Sequence, residues 1–63
     1  MEDMNLQELT QRNIEEFSRL QSYMQLVEKE SDAYVAMKVR YIELKVILSS
    51  AGVNIVELDK IKE

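Results

Sequence analysis

The side chains of this 63-residue chain that could do chemistry are carboxylates, hydroxyls, ammonium groups and guanidinium groups, since it contains no His and no Cys. The common general base near neutral pH and the thiol nucleophile are therefore both missing. Ser18, Ser22, Ser31, Ser49 and Ser50 have no base assigned by spacing to activate them. Glu15 and Glu16 are adjacent, which on a helix points them about 100° apart, the wrong geometry for a shared proton or a metal. They read as solvated surface. A single glycine cannot build a phosphate-cradling loop, and no Cys/His cluster offers a structural zinc site. We expect a non-enzyme, with no catalytic residue, no cofactor, no metal and no small-molecule substrate.

Two polar features have the spacing of binding groups. Asn13 falls near the centre of an apolar helix face, where an amide costs free energy unless it is hydrogen-bonded. It either pairs with a symmetry mate and sets oligomer specificity, as buried asparagines do in coiled coils, or sits where the bundle frays and faces water. Lys38 and Lys45, seven apart, share a polar seam, with Arg40 on another side. This basic seam could grip an acidic partner, or the lysine stems could simply cover apolar surface while their heads reach water. Twelve Asp and Glu against eight Lys and Arg leave a net charge of −4, the wrong sign for tracking a phosphate backbone. Nucleic acid is disfavoured.

The elements that must position these groups read as helices throughout. Asn5 caps the first, Glu8 closes a capping box, and Met4 is placed to staple onto Leu9. Leu6, Leu9, Phe17, Leu20, Met24 and Val27 then recur at helical spacing, flanked by Ile14 and Tyr23. The polar segment Glu28 to Asp32 interrupts the pattern, and Ser31 or Asp32 can cap a second helix. No Gly or Pro enforces a turn there, so one long helix through 28–32 is the alternative to a hairpin. Gly52 marks the end of the second helix in a Schellman motif that brings Val53 against Leu48. Asn54 caps a short third helix with Glu57 closing its box and Ile55, Leu58 and Ile61 along one side. The stretch Val35 to Leu48 is rich in β-branched and aromatic residues, but its alternation breaks at Tyr41-Ile42 and a lone strand has nothing to pair with, so helix is expected.

The second helix carries two apolar stripes, Tyr34, Met37, Tyr41, Leu44 and Leu48 on one side and Val35, Val39, Ile42 and Val46 on the other, roughly 120° apart. One side can pack on the rest of the chain. The other needs a cover, either the third helix or a partner. A helix of roughly nine residues spans about 14 Å, while Val35 to Val46 runs about 17 Å, so full internal coverage is not expected.

Length adds weight to this. A chain this short buries only about 60% of the surface its unfolded form exposes, and without Cys or a metal cluster, association is the remaining support. The longest apolar run is Val46-Ile47-Leu48, far below the roughly 20 residues that span a bilayer, and Met1-Glu2-Asp3 is the opposite of a basic signal-peptide start. No membrane association and a cytoplasmic location are expected. The fold expected is all-α, a single domain over 1–63: an antiparallel helical hairpin (about 5–29 and 32–51) with a short third helix (about 54–62), forming a dimeric bundle. The function expected is a small protein-interaction module, an adaptor, inhibitor or chaperone-like subunit. It would bind a partner protein or a second copy through Val35, Val39, Ile42, Val46, Ile55 and Leu58. The alternative is a dimeric nucleic-acid-associated regulator using Lys38, Arg40 and Lys45.

Overall fold

A computed structural model describes residues 5–63. It shows α1 (Leu6–Met24), α2 (Asp32–Ser50) and a single-turn α3 (Ile55–Leu58), with no strand among the described residues. The start of α1 is set by Asn5, whose Oδ1 accepts the Glu8 N–H at 2.8 Å. The Met4 staple lies outside the described residues. α1 ends at Met24, five residues short of the expected boundary, because the chain needs residues 25–31 to reverse direction without a glycine or proline. Gln25 and Leu26 close the last turn through bonds to Gln21 O and Tyr23 O. Ser31 then joins turn to helix. Its hydroxyl donates to Glu28 O at 2.7 Å and accepts the Tyr34 N–H at 3.1 Å, so one side chain closes the reversal and caps α2. The chain is a helical hairpin, and the single long helix is excluded.

α2 stops where expected. Val53 N–H reaches Leu48 O and Gly52 N–H reaches Ser49 O, the paired bonds of a Schellman motif, with Gly52 at φ +86°. Residues 53–63 then fold back across the hairpin as a strap. The expected helix over 54–62 shortens to Ile55–Leu58, although Asn54 caps it by accepting the Val56 N–H. The cause is Gln21 of α1. Its Oε1 accepts the N–H groups of Lys60 and Ile61, which a continuing helix would have directed to carbonyls four residues back.

The core lies between the three pieces. Phe17, Met24, Tyr34, Tyr41, Leu44 and Leu48 are buried, with Ile14, Leu20, Met37, Val53, Ile55, Leu58 and Ile61 packed on them. Phe17 and Tyr41 stack at mid-hairpin with ring centroids 5.6 Å apart. The first turns of α1 contribute less than their spacing suggests: Leu6 is 80% exposed and Leu9 46%.

Leu44 is fully buried, so Leu44→Ala should cost about 2–5 kcal/mol. A chain of this length has only about 3–9 kcal/mol to lose, so urea titration followed by circular dichroism should show most of the cooperative transition gone at 25 °C. Gly52→Ala should cost about 1 kcal/mol, a backbone penalty alone, because nothing lies within 4 Å of an added methyl. A loss at Gly52 as large as at Leu44 would contradict this reading.

Candidate interaction surfaces

α2 presents opposite surfaces to different surroundings. Its Tyr34, Tyr41, Leu44 and Leu48 side chains are buried, whereas Val35 is 56%, Val39 59%, Ile42 48% and Val46 61% exposed. These four form an open apolar face running most of the helix length. Ile55 and Leu58, grouped with them by the sequence, lie elsewhere: both are half-buried against the hairpin core. Part of their apolar surface is taken up within the molecule, because the strap rests on the core between α1 and α2.

The three basic residues of the seam, Lys38, Arg40 and Lys45, are each held by carboxylates of the same chain. Lys38 Nζ lies 2.9 Å from Glu63 Oε1, Lys45 Nζ lies 3.0 Å from Asp59 Oδ2, and Arg40 meets Glu16 at 2.7 Å and Glu43 at 3.1 Å. The seam therefore fastens the strap on one side of α2, while Arg40 fastens α1 on the other. The hydrogen bond and charge of Glu63 raise the Lys38 pKa, and the Arg40 bond lowers that of Glu16. Asn13 is half-buried in α1, one turn before Phe17.

The polar residue at the centre of the core is Gln21, which is fully buried. Its Nε2 donates to Leu58 O at 2.9 Å, and its Oε1 accepts from Lys60 N–H and, at 3.0 Å, from Ile61 N–H. One amide thus reads three backbone atoms of the strap and leaves little of its own capacity unused. Beside it, Tyr41 Oη donates to Asp59 Oδ1 at 2.5 Å and accepts the Glu63 N–H at 3.1 Å. Asp59 also accepts the Lys62 N–H at 2.8 Å. Burial pushes the Asp59 carboxyl up, but the bonds from Tyr41, Lys62 and Lys45 outweigh it and leave the pKa lowered. Burial and the Asp59 bond raise the Tyr41 pKa, and the Asp59 bond raises that of Lys45.

Sequence reasoning places its central buried amide at Asn13 and passes over Gln21. The signal was present: Gln21 lies four residues after Phe17 and three before Met24, squarely on the apolar line of α1. Asp59, between Leu58 and Ile61, is the matching polar residue on the strap. Among the described residues no helix is long and apolar enough to cross a membrane.

These features define a helical hairpin closed by a polar-clipped C-terminal strap, with an apolar helix face left open. Searches of protein-family models, curated proteins and solved structures find no match to the chain.

Gln21→Leu keeps the bulk but strands two N–H groups and one carbonyl, each costing about 1–3 kcal/mol if left buried. The strap should release and rehydrate instead, so amide exchange at Lys60 and Ile61 should accelerate by about tenfold or more while the α1 and α2 amides keep their protection. Unchanged exchange at those two positions would show that Gln21 does not hold the strap. The clip should also have two pH limits. The lowered Asp59 pKa gives stabilisation present above its ordinary 3.8 and lost as pH falls through the lower folded value. The raised Tyr41 and Lys45 pKa values give stabilisation present below 10.0 and 10.5 and lost as pH rises through the folded values. Strap-amide protection measured across pH should fall at both ends and hold between them.

Proposed function

We propose that this protein is a non-enzymatic interaction module that docks another protein surface on Val35, Val39, Ile42 and Val46 of α2. The observation that carries this is the exposure of four β-branched side chains in register on a helix whose other side buries Tyr34, Tyr41, Leu44 and Leu48. Contiguous apolar surface of this kind marks interaction sites, and an amphipathic helix laid along it is the natural complement. A second copy packing there would complete a dimeric helical bundle. In either case the open face is the site. The setting we assign is the cytoplasm, where a chain free of cysteine is indifferent to a reducing environment.

Magnitudes restrict the kind of complex. Burying what remains exposed of four such side chains contributes on the order of 4 kcal/mol, and a matching partner surface contributes about as much again. Association itself costs about 4–15 kcal/mol, so this stripe alone supports only weak binding, and tight binding requires flanking contacts. The nucleic-acid alternative draws no support from the geometry, because Lys38, Arg40 and Lys45 are already neutralised by Glu63, Glu16, Glu43 and Asp59.

A Val39→Glu, Ile42→Glu double variant alters exposed positions only, so its helicity and melting temperature should stay close to the parent's. Its solution mass by light scattering, and the proteins it captures from its source cells, should both lose what the parent shows. Raising the salt concentration should leave the parent's contacts intact, since apolar docking is not screened as phosphate contacts are. A double variant with the parent's mass and the parent's full set of captured proteins would refute the proposal.

A further inference from the structure

The contacts that hold the strap do not require it to belong to the same chain. From Ile55 onward, it is held through backbone atoms of Leu58, Lys60 and Ile61 on Gln21, through Asp59 on Tyr41 and Lys45, and through Glu63 on Lys38 and Tyr41. Its apolar anchors Ile55, Leu58 and Ile61 rest on the hairpin core and are only half-buried. Between Ser50 and Ile55 the connection is four residues, and its reversal is confined to the Schellman bonds and the left-handed Gly52. Nothing stands within 4 Å of the Gly52 Cβ position, so Gly52 itself is unpacked, and Val53 is the hinge residue that rests on the core. An arm held this way on a short hinge is the arrangement that permits two copies of a chain to trade the arm, because the traded form repeats the contacts of residues 55–63.

We infer that residues 55–63 form an exchangeable arm. When Ala51 to Asn54 straighten, the arm of each copy seats on Gln21, Tyr41 and Lys45 of the other, and the second copy supplies Asp59 and the backbone of Leu58, Lys60 and Ile61 to a site that is incomplete without them. The closed and exchanged forms differ only in the hinge, in the contact of Val53 with its own helix, and in the entropy of association, so concentration selects between them. This surface is distinct from the valine face and stands or falls separately from it.

Charge complementation tests the exchange. Two full-length chains are prepared, both carrying Val39→Glu and Ile42→Glu to silence the valine face, one with Lys45→Asp and the other with Asp59→Lys. In each chain alone the arm meets a like charge on its own hairpin, so Lys60 and Ile61 amides should exchange freely and the mass should be that of a monomer. On mixing, each arm finds its opposite charge only on the other chain. The expected result is a one-to-one dimer by native mass spectrometry, with protection at Lys60 and Ile61 restored about tenfold. A mixture that stays monomeric with unprotected arms overturns the inference, as does a dimer whose arms remain unprotected. Should either variant lose its helices by circular dichroism, the chain carrying only Val39→Glu and Ile42→Glu decides: isotopically light and heavy copies are held together at millimolar concentration and then diluted. Mixed-isotope dimers with protected Lys60 and Ile61 support the exchange, and monomers alone overturn it.

Discussion

A primary amide placed among Phe17, Met24 and Tyr41 cannot stay unbonded, because an unpaired buried donor or acceptor costs more than a typical hydrogen bond contributes. Gln21 meets that demand with the backbone of residues 58, 60 and 61, and much of the architecture follows from it. The strap must cross the hairpin at that level. Its helix must end at Leu58, since the next donors are already committed to Oε1. The carbonyl of Leu58 and the N–H groups of Lys60 and Ile61 are in turn groups that the strap could not bury without Gln21. Amide and strap each remove the desolvation penalty of the other, so neither is stable in its place alone.

Around this bond the charges are arranged by neighbourhood. Lys38 and Lys45 stand one turn either side of Tyr41, close enough for Lys45 to lie 5.0 Å from the Tyr41 ring centroid while it bonds Asp59. Exposed pairs such as Lys29 with Glu63 at 3.6 Å add little by themselves. The partly buried cluster of Tyr41, Lys45 and Asp59 adds more, because its members are linked and shielded by the strap they hold. Lys38, Arg40 and Lys45, the residues that could have suggested an anionic partner, thus serve to close the fold.

How far the sequence discloses this depends on the range of the interaction. Local signals were legible: the Asn5 and Ser31 caps, the Gly52 stop and the buried line from Tyr34 to Leu48 all depend on residues within a turn or two of one another. The end of α1 at Met24 was less so, because nothing in residues 25–30 is a turn residue by type, and only packing decides how much chain the reversal consumes. The strap's short helix was illegible locally. Ile55 to Lys62 has helical spacing and good pairs, and what shortens it is an amide 37 to 40 positions earlier. Asn13 and Gln21 look alike in sequence, and only the path of the strap determines which amide is enclosed. Ile55 and Leu58 share one side of the third helix by spacing, but whether that side meets the hairpin or a partner is set by what lies beneath it.

The position of the strap also explains why the valine face stays open. Lys38, Tyr41 and Lys45 form one line along α2 at helical spacing, and Val39, Ile42 and Val46 each follow one residue later, about 100° further round the helix. An extended segment fastened at Glu63 to Lys38 and at Asp59 to Lys45 is committed to the first line, and its width cannot reach the second. The bonds that close the core therefore guarantee that the neighbouring stripe is uncovered. A helix docking on that stripe would run beside the strap, with Lys38 and Lys45 and their carboxylates along one edge and Glu43 along the other. Shifting the strap would alter the edge against which such a helix packs.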